Sequence, residues 1–429
     1  MKILWAPIVD AMYIKRFGRR KSWLIPTQLF VGIFMLLLSP NIEKLLGDDT
    51  HNEPKIAVIA SVFFVLCLFA ATQDIIVDGW ALTMLKRCNI GHAATCNSVG
   101  LLCGYFIGFS GFIALESRKI VNFSQFLFFW GIIFVISTVM VALFKKEATS
   151  STETELKYGV IESYSILKSI VVKKPIILLA SIFLTMHIMF SASNAITTLK
   201  LIDRGVPRES LALITIIPFP LEVLLPIFIG KYTTGPFPLD IFNKINPPSL
   251  LLTVLMAGFV WATPIIIKDN LDNVPKYYYV MYTILHGSYQ LLRQCGFVAA
   301  MAFFARISDQ RFGGTYMTLL NTISNFGYKW SATLMLWLVE FITWKSCILD
   351  NTNDTSIFNN NTCSNKDQIE NCKQLGGNCR IEIDGYYIEC TLCIIYGTLW
   401  YFWGKKKIKA VQNIPLDSWQ VNYKKTFYD

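Results

Sequence analysis

Apolar runs about as long as a bilayer-spanning helix, roughly 20 residues, recur along the whole chain. They occupy 22–40, 55–73, 93–115, 123–144, 175–195, 209–230, 249–267, 277–304, 315–341 and 386–404. The pattern predicts ten spanning helices. Before the first lies MKILWAPIVDAMYI, too short to span and interrupted by Asp10. It is not a signal peptide, since no separate apolar core is followed by a small-residue cleavage site.

Composition agrees: 53% of the 429 residues are hydrophobic and 16% charged, against about 25% charged in soluble domains. Mean hydropathy is +0.45. The net charge of +10 follows membrane sidedness, because Lys and Arg collect in cytosolic loops. One alternate set of loops carries KRFGRRK (15–21), Lys86-Arg87, six lysines within 145–174 and KKK at 405–407. That set is read as cytosolic. Counting back from a cytosolic C-terminus makes the opening stub run into the cytosol, so a first spanning helix is expected to be missing from the sequence. The expected fold is an all-α membrane protein, 6+6 helices when full length and about 11 here. Nucleic acid is not an expected partner; the lipid bilayer is, and a homo-oligomer is left open.

The opposite set of loops includes 342–385, which holds four of the 11 cysteines: Cys347, Cys363, Cys372 and Cys379. An even number in one long non-cytosolic loop suggests two disulfides, with three pairings open. Zinc is the rival reading, disfavoured because the loop has neither CxxC nor His. Sequons at Asn353 and Asn360 make the loop a candidate for glycosylation on a lumenal or extracellular face.

The segment 145–174 is the long polar stretch on the cytosolic side, with a short amphipathic helix expected near 158–171. It divides a truncated N-terminal half, 1–144, from a C-terminal half, 175–404, and 405–429 forms a cytosolic tail. Six spans on each side, once the missing helix is restored, is the arrangement of major facilitator transporters. Asp10 followed by Gly18, Arg19 and Arg20 is similar to the Asp...Gly-Arg-Arg signature between the second and third helices of that superfamily, with a longer gap. Gly100, Gly104 and Gly108 repeat every four residues, a spacing that lets helices pack closely.

Ionisable groups inside a membrane are costly and face a cavity or a partner. One helical face carries His286, Gln290 and Arg293, a second Thr318, Asn321, Asn325 and Lys329, a third His187, Ser191 and Asn194. Glu222 is the obvious acid to neutralise a cation. One acid against Arg293 and Lys329 leaves net positive charge and argues for an anionic substrate, with Arg suited to phosphate or carboxylate through its planar fork. Asp74 and Asp78 end the span at 55–73 and share a helical face. They read either as helix-end acids paired with basic loop residues, or as gate residues that exchange partners between access states. No GxxxxGK[ST] loop is present, so transport would be secondary. HExxH and GxSxG are absent too, and neither a metal nor a cofactor is expected. A membrane acyltransferase using His187 or His286 is the enzymatic alternative.

Several stretches together resemble one family. WAPIVDAMYIKRFGRRKSW, ATQDIIVDGWALTML, TCNSVG, LKLIDRGVP, KYTTGP, GGTYMTLLNTISNFG and the CKQLGGNC...DGYY segment are similar to the acetyl-coenzyme A transporters of the endoplasmic reticulum membrane, solute carrier family 33. The likeness runs from residue 1 to about 404. Bacterial muropeptide permeases of the AmpG type share the WAP...D and QDI..D elements but lack the Cys-rich loop. The resemblance implies a multi-pass endoplasmic reticulum protein moving acetyl-coenzyme A into the lumen. It fits a substrate-binding set of His187, His286, Gln290, Arg293, Asn321, Asn325 and Lys329, with the adenine stacking on an aromatic ring such as Tyr328 or Trp330. The gate set is Asp10, Arg19, Asp74 and Asp78. A muropeptide or another anionic solute is the alternative cargo.

Overall fold

The structure, a computed structural model, describes residues 2–14, 17–47, 56–86, 89–145, 147, 159–267, 274–349, 363, 366–374 and 377–421. The N-terminal half contains α1 (Lys2–Ala11), α2 (Lys21–Leu38), α3 (Ile42–Leu46), α4 (Ile56–Met84), α5 (Gly91–Tyr105), α6 (Phe112–Ser117) and α7 (Phe123–Phe144). The amphipathic α8 (Val160–Val171) follows, and then α9 (Lys174–Met186), α10 (Ile188–Asp203), α11 (Arg208–Ile214), α12 (Phe219–Thr233), α13 (Asp240–Ile267), α14 (Lys276–Ile307) and α15 (Gly313–Ile342). Strand β1 (Trp344–Leu349), α16 (Lys366–Gln374) and β2 (Gly377–Ile383) precede the last helix, α17 (Gly385–Gln412).

Eight of the ten apolar stretches lie, as far as they are described, within unbroken helical chain, while 175–195 breaks at His187 and 209–230 at a turn over 215–218. Among the described residues, seven helical segments are long and apolar enough to cross a membrane, or up to eight if the bent pair of α14 and α15 counts as one. The axes of that pair meet at 109°. At a rise of 1.5 Å per residue, the 32 residues of α14 and the 30 of α15 are each long enough to span. Their polar stripes are what lower their hydropathy. Local signals set the ends: a capping box of Asn122 and Gln125 opens α7, and Pro175 sits in the first turn of α9, where a missing N–H costs nothing.

Within the N-terminal half α2 packs against α4 and α7; in the other half α10 packs against α13, α15 and α17, and α14 against α12 and α13. The halves meet where α1 and α4 lie on α15, and where α5 lies on α12 and α14. The largest apolar core belongs to the C-terminal half and takes in Leu82, Ile90 and Ala94 from the other. Phe63, Phe64, Phe128 and Phe129 point outward, as suits a solvent of lipid. The expectation that Gly100, Gly104 and Gly108 pack against a helix is corrected: a Cβ on any of them would meet nothing within 4 Å, and the chain around Phe106–Gly111 widens into a π-helical turn.

The only sheet among the described residues is the antiparallel pair β1 and β2, which sets Cys347 opposite Cys379. The sulfurs nonetheless pair otherwise, Cys347 with Cys372 and Cys363 with Cys379. Asn353 and Asn360 lie outside the described residues. At the opposite end of the molecule the chain beyond α17 folds back: Trp419 is buried, packs edge-on against Phe303, and its carbonyl accepts from the Tyr316 hydroxyl at 2.9 Å.

Candidate functional site

Two polar centres lie on or beside the seam between the halves. The first is at the end of the molecule bearing the Lys- and Arg-rich loops. Asp10, buried near the end of α1, receives Arg20 Nη1 at 2.6 Å. Its second oxygen accepts from the backbone N–H and the hydroxyl of Thr315, at 2.7 and 2.8 Å. Those donors belong to the first turn of α15, where exposed N–H groups and the helix dipole favour an anion. One carboxylate from the N-terminal half thus caps a helix of the other half. Two glycines make room: a Cβ at Gly314 would sit 2.8 Å from the Asp10 carboxylate, and one at Gly79 would sit 2.7 Å from the Arg20 guanidinium.

Further contacts close the same end. Arg19 donates to the Arg311 carbonyl at 2.6 Å, Gln310 to the Leu82 carbonyl at 2.8 Å, and Asn321 to the Asp78 carboxylate at 3.0 Å. The tail joins them through Arg311, which donates to the Val421 carbonyl at 2.9 Å and to the Asp309 carboxylate at 2.7 Å. Lys173 donates to the Ser418 carbonyl at 3.3 Å and also to that of Gln420. Burial alone would raise the Asp309 carboxyl, but its hydrogen bond to Arg311 and that residue's charge outweigh it and hold the group below the usual carboxylate range.

The second centre surrounds Tyr328 on α15. Arg293 lies over its ring at 5.8 Å, Lys329 at 5.6 Å, and His187 meets it edge-on at 5.8 Å. Asn194 fixes the hydroxyl, donating at 2.8 Å. Arg293 also donates to Gln290 at 3.0 Å, and Gln290 contacts His286 at 3.5 Å, which stacks on Tyr282. Among the described residues no carboxylate lies within ion-pair distance of Arg293 or Lys329. Glu222 interacts electrostatically with Arg293 without forming such a pair.

His187 stands where α9 stops and α10 begins. A helix end leaves carbonyls without partners, and here other helices supply them: Trp330 donates to the Leu184 carbonyl at 3.0 Å and Tyr396 to that of Thr185 at 3.2 Å. Gly327 lets α15 approach this break, since a Cβ there would strike the Phe183 carbonyl. Non-helical backbone at membrane depth is tolerated where it lies against protein or a cavity.

The predicted residues therefore divide. His187, His286, Gln290, Arg293 and Lys329 form one connected set. Asn325 makes no hydrogen bond to that set among the described residues, while Asn321 belongs to the seam through Asp78. Asp74 and Asp78, expected to share a helical face and to pair with basic loop residues, have other partners: Asp74 pairs with Lys2 at 2.6 Å and Asp78 accepts from Asn321. Arg19 reaches the Asp10 carboxylate only at 3.8 Å; Arg20 is its close partner. Sequence reading missed Arg20, Thr315 and Gln310 as seam residues. The signal at hand was GGT (313–315), a glycine pair opening a helix.

A family profile described as acetyl-coenzyme A transporter 1 matches residues 1–158, 148–266 and 248–421. An uncharacterised membrane protein of Saccharomyces cerevisiae is 28% identical over 98% of this chain and 88% of its own length. An uncharacterised protein of Schizosaccharomyces pombe is 29% identical over 99% of this chain and 80% of its own. More distantly, the anhydromuropeptide permease of Escherichia coli is 30% identical over 27% of this chain and 21% of its own length.

Proposed function

The chain belongs to the acetyl-coenzyme A transporter 1 family, and from that premise we propose that it carries acetyl-coenzyme A across the endoplasmic reticulum membrane, from cytosol to lumen, by alternating access. The observation that carries the reading is the pair of cations on Tyr328 with no carboxylate in ion-pair reach among the described residues. The substrate bears several phosphate charges. Arg293 can grip a phosphate through two parallel N–H donors and Lys329 can add a point charge, while Gln290 and the two histidines offer neutral hydrogen bonds and the Tyr328 ring a stacking face for adenine.

The halves 1–144 and 175–404 then act as the two rocking bodies. The basic-loop end is cytosolic, and the seam from Asp10 to Thr315 and from Asp78 to Asn321 is its gate, shut in this conformation. The cargo site accordingly faces the lumen. Opening toward the cytosol requires the Asp10 carboxylate to leave the first turn of α15. The paired cysteines of the lumenal loop are oxidised in this setting, and Asn353 and Asn360 are its glycan acceptors.

The experiment is uptake of labelled acetyl-coenzyme A into proteoliposomes holding the purified protein. Saturable uptake, competed by coenzyme A and not by a muropeptide, is the expected result. Competition by the muropeptide, or release of a transferred acetyl group in place of intact substrate, would replace this reading with a permease of other cargo or with an acyltransferase.

A further inference from the structure

Glu389 lies in the second turn of α17, 1% exposed, and neither carboxyl oxygen has a hydrogen-bond partner. A buried carboxylate with no counter-charge and no donor is too costly to keep; such a group takes up a proton instead. The groups around it supply no compensation. From its own helix, the thiols of Cys390 and Cys393 are near enough to interact, and a thiol brings no positive charge. On α10, Lys200 is committed to Asp384 at 2.8 Å, and Arg204 to Asp384, the Tyr387 hydroxyl and the Val260 carbonyl; Asp203 is a further acid. On α15, Lys329 lies over Tyr328, and Glu340, near the same end of the molecule as Glu389, is exposed and is a further acid. Lys174 begins α9, and Asp240 and Lys244 lie in the first turns of α13, all at the opposite end from Glu389. Among the described residues no charged side chain acts on Glu389.

We infer that Glu389 is a proton-binding site that makes transport depend on the pH difference across the membrane, holding its proton in this conformation and releasing it to water in another. This rests on the transport reading above. The step is a plain proton exchange: water of one compartment protonates the carboxylate, and water of the other takes the proton back. Glu389 starts about 6 Å, four residues of helix rise, from the lumenal end of α17, so the lumen is the compartment nearest to it.

The test compares wild type, Glu389→Gln and Glu389→Asp in proteoliposomes. Counterflow of labelled acetyl-coenzyme A without a pH gradient reports carrier function alone, and all three should show it. With a gradient imposed, the wild type and Glu389→Asp should accumulate substrate, up to about tenfold per pH unit for each proton moved; Glu389→Gln should only equilibrate it. A Gln variant that accumulates like the wild type, or a wild type indifferent to the gradient, overturns the inference. An infrared difference spectrum on raising the pH, which strips the proton that Glu389 holds in this conformation, is the substrate-free readout. The carbonyl band of a protonated carboxyl, present in wild type and lost in Glu389→Gln, supports the proton site even if counterflow fails and the transport reading falls. Its absence from the wild type removes the site.

Discussion

Arg293 and Lys329 lie 5.8 and 5.6 Å from the centre of one ring, and a cation over an aromatic face gains only about 0.5–1 kcal/mol at an exposed site. A charge-assisted hydrogen bond to phosphate is worth about 1.5–3 kcal/mol, so both cations lose little by leaving Tyr328 for a substrate. Arg293→Gln and Lys329→Met are each expected to weaken acetyl-coenzyme A binding about tenfold to a hundredfold, read by equilibrium binding in detergent, with a much smaller effect on an analogue stripped of its phosphates. Equal loss for both ligands would make these residues structural. The Asp10–Arg20 pair obeys other rules, because both side chains are buried. Removing one partner strands the other charge, a loss of about 3–5 kcal/mol, whereas replacing both is often close to neutral. Asp10→Asn should therefore lower the thermal midpoint clearly, and Asp10→Asn with Arg20→Met should recover much of it. A single variant with an unchanged midpoint would show that this pair does not hold the seam.

At the scale of elements, the chain interrupts α9 and α10 at His187 and holds the break from outside. Nothing in SIFLTMHIMF announces it: the run reads as one apolar span, and the partners that donate to the freed carbonyls, Trp330 and Tyr396, arrive from α15 and α17. Gly327→Ala should push α15 off the break, cost about 1–3 kcal/mol as overpacking does, and lower the midpoint without touching a charged group. The same distance in sequence explains the rest of what was legible and what was not. Span length is a one-dimensional signal, so the apolar stretches are legible as helical, but the breaks at His187 and at 215–218 are not. Asp10 and Thr315 are 305 positions apart, and no periodicity links them. Asn321 sits in the same stripe as Lys329, yet its position along α15 takes it to Asp78. The buried tail was illegible because Trp419 gains its meaning only from Phe303 and Tyr316. There Asp309 supplies a pH dependence with a definite sign. Its folded-state pKa is depressed, so its contribution is complete above the unfolded value near 3.9 and is lost as pH falls through the folded one. Fluorescence of the tail Trp419, in a background lacking the other tryptophans, should stay constant from about pH 8 to 5 and change only in stronger acid; a change near neutrality would assign the docking to another group.

For the whole molecule, the contacts between halves at the basic-loop end join different helices: α1 to α15 through Asp10, and α4 to α15 through Asp78 and Asn321. An alternating-access carrier must break them all in each cycle, because cargo cannot leave the cytosol while α15 is held by both α1 and α4. Bistable interfaces of this kind move as units, not by graded bending. On the proposed function, a covalent link across one contact should therefore arrest the cycle even though the proposed cargo site around Tyr328 is untouched. Asp78→Cys with Asn321→Cys puts thiols on the two positions whose side chains now share a hydrogen bond of 3.0 Å; the exposed Cys67 and Cys96 are changed to Ser to keep the readout clean. Oxidation is expected to abolish uptake into proteoliposomes and reduction to restore it, while binding of acetyl-coenzyme A from the lumenal side persists throughout. Either single-cysteine variant should be indifferent to oxidant. If the linked protein still transports, α4 and α15 do not separate during the cycle, and the gate must open through α1 and α15 alone.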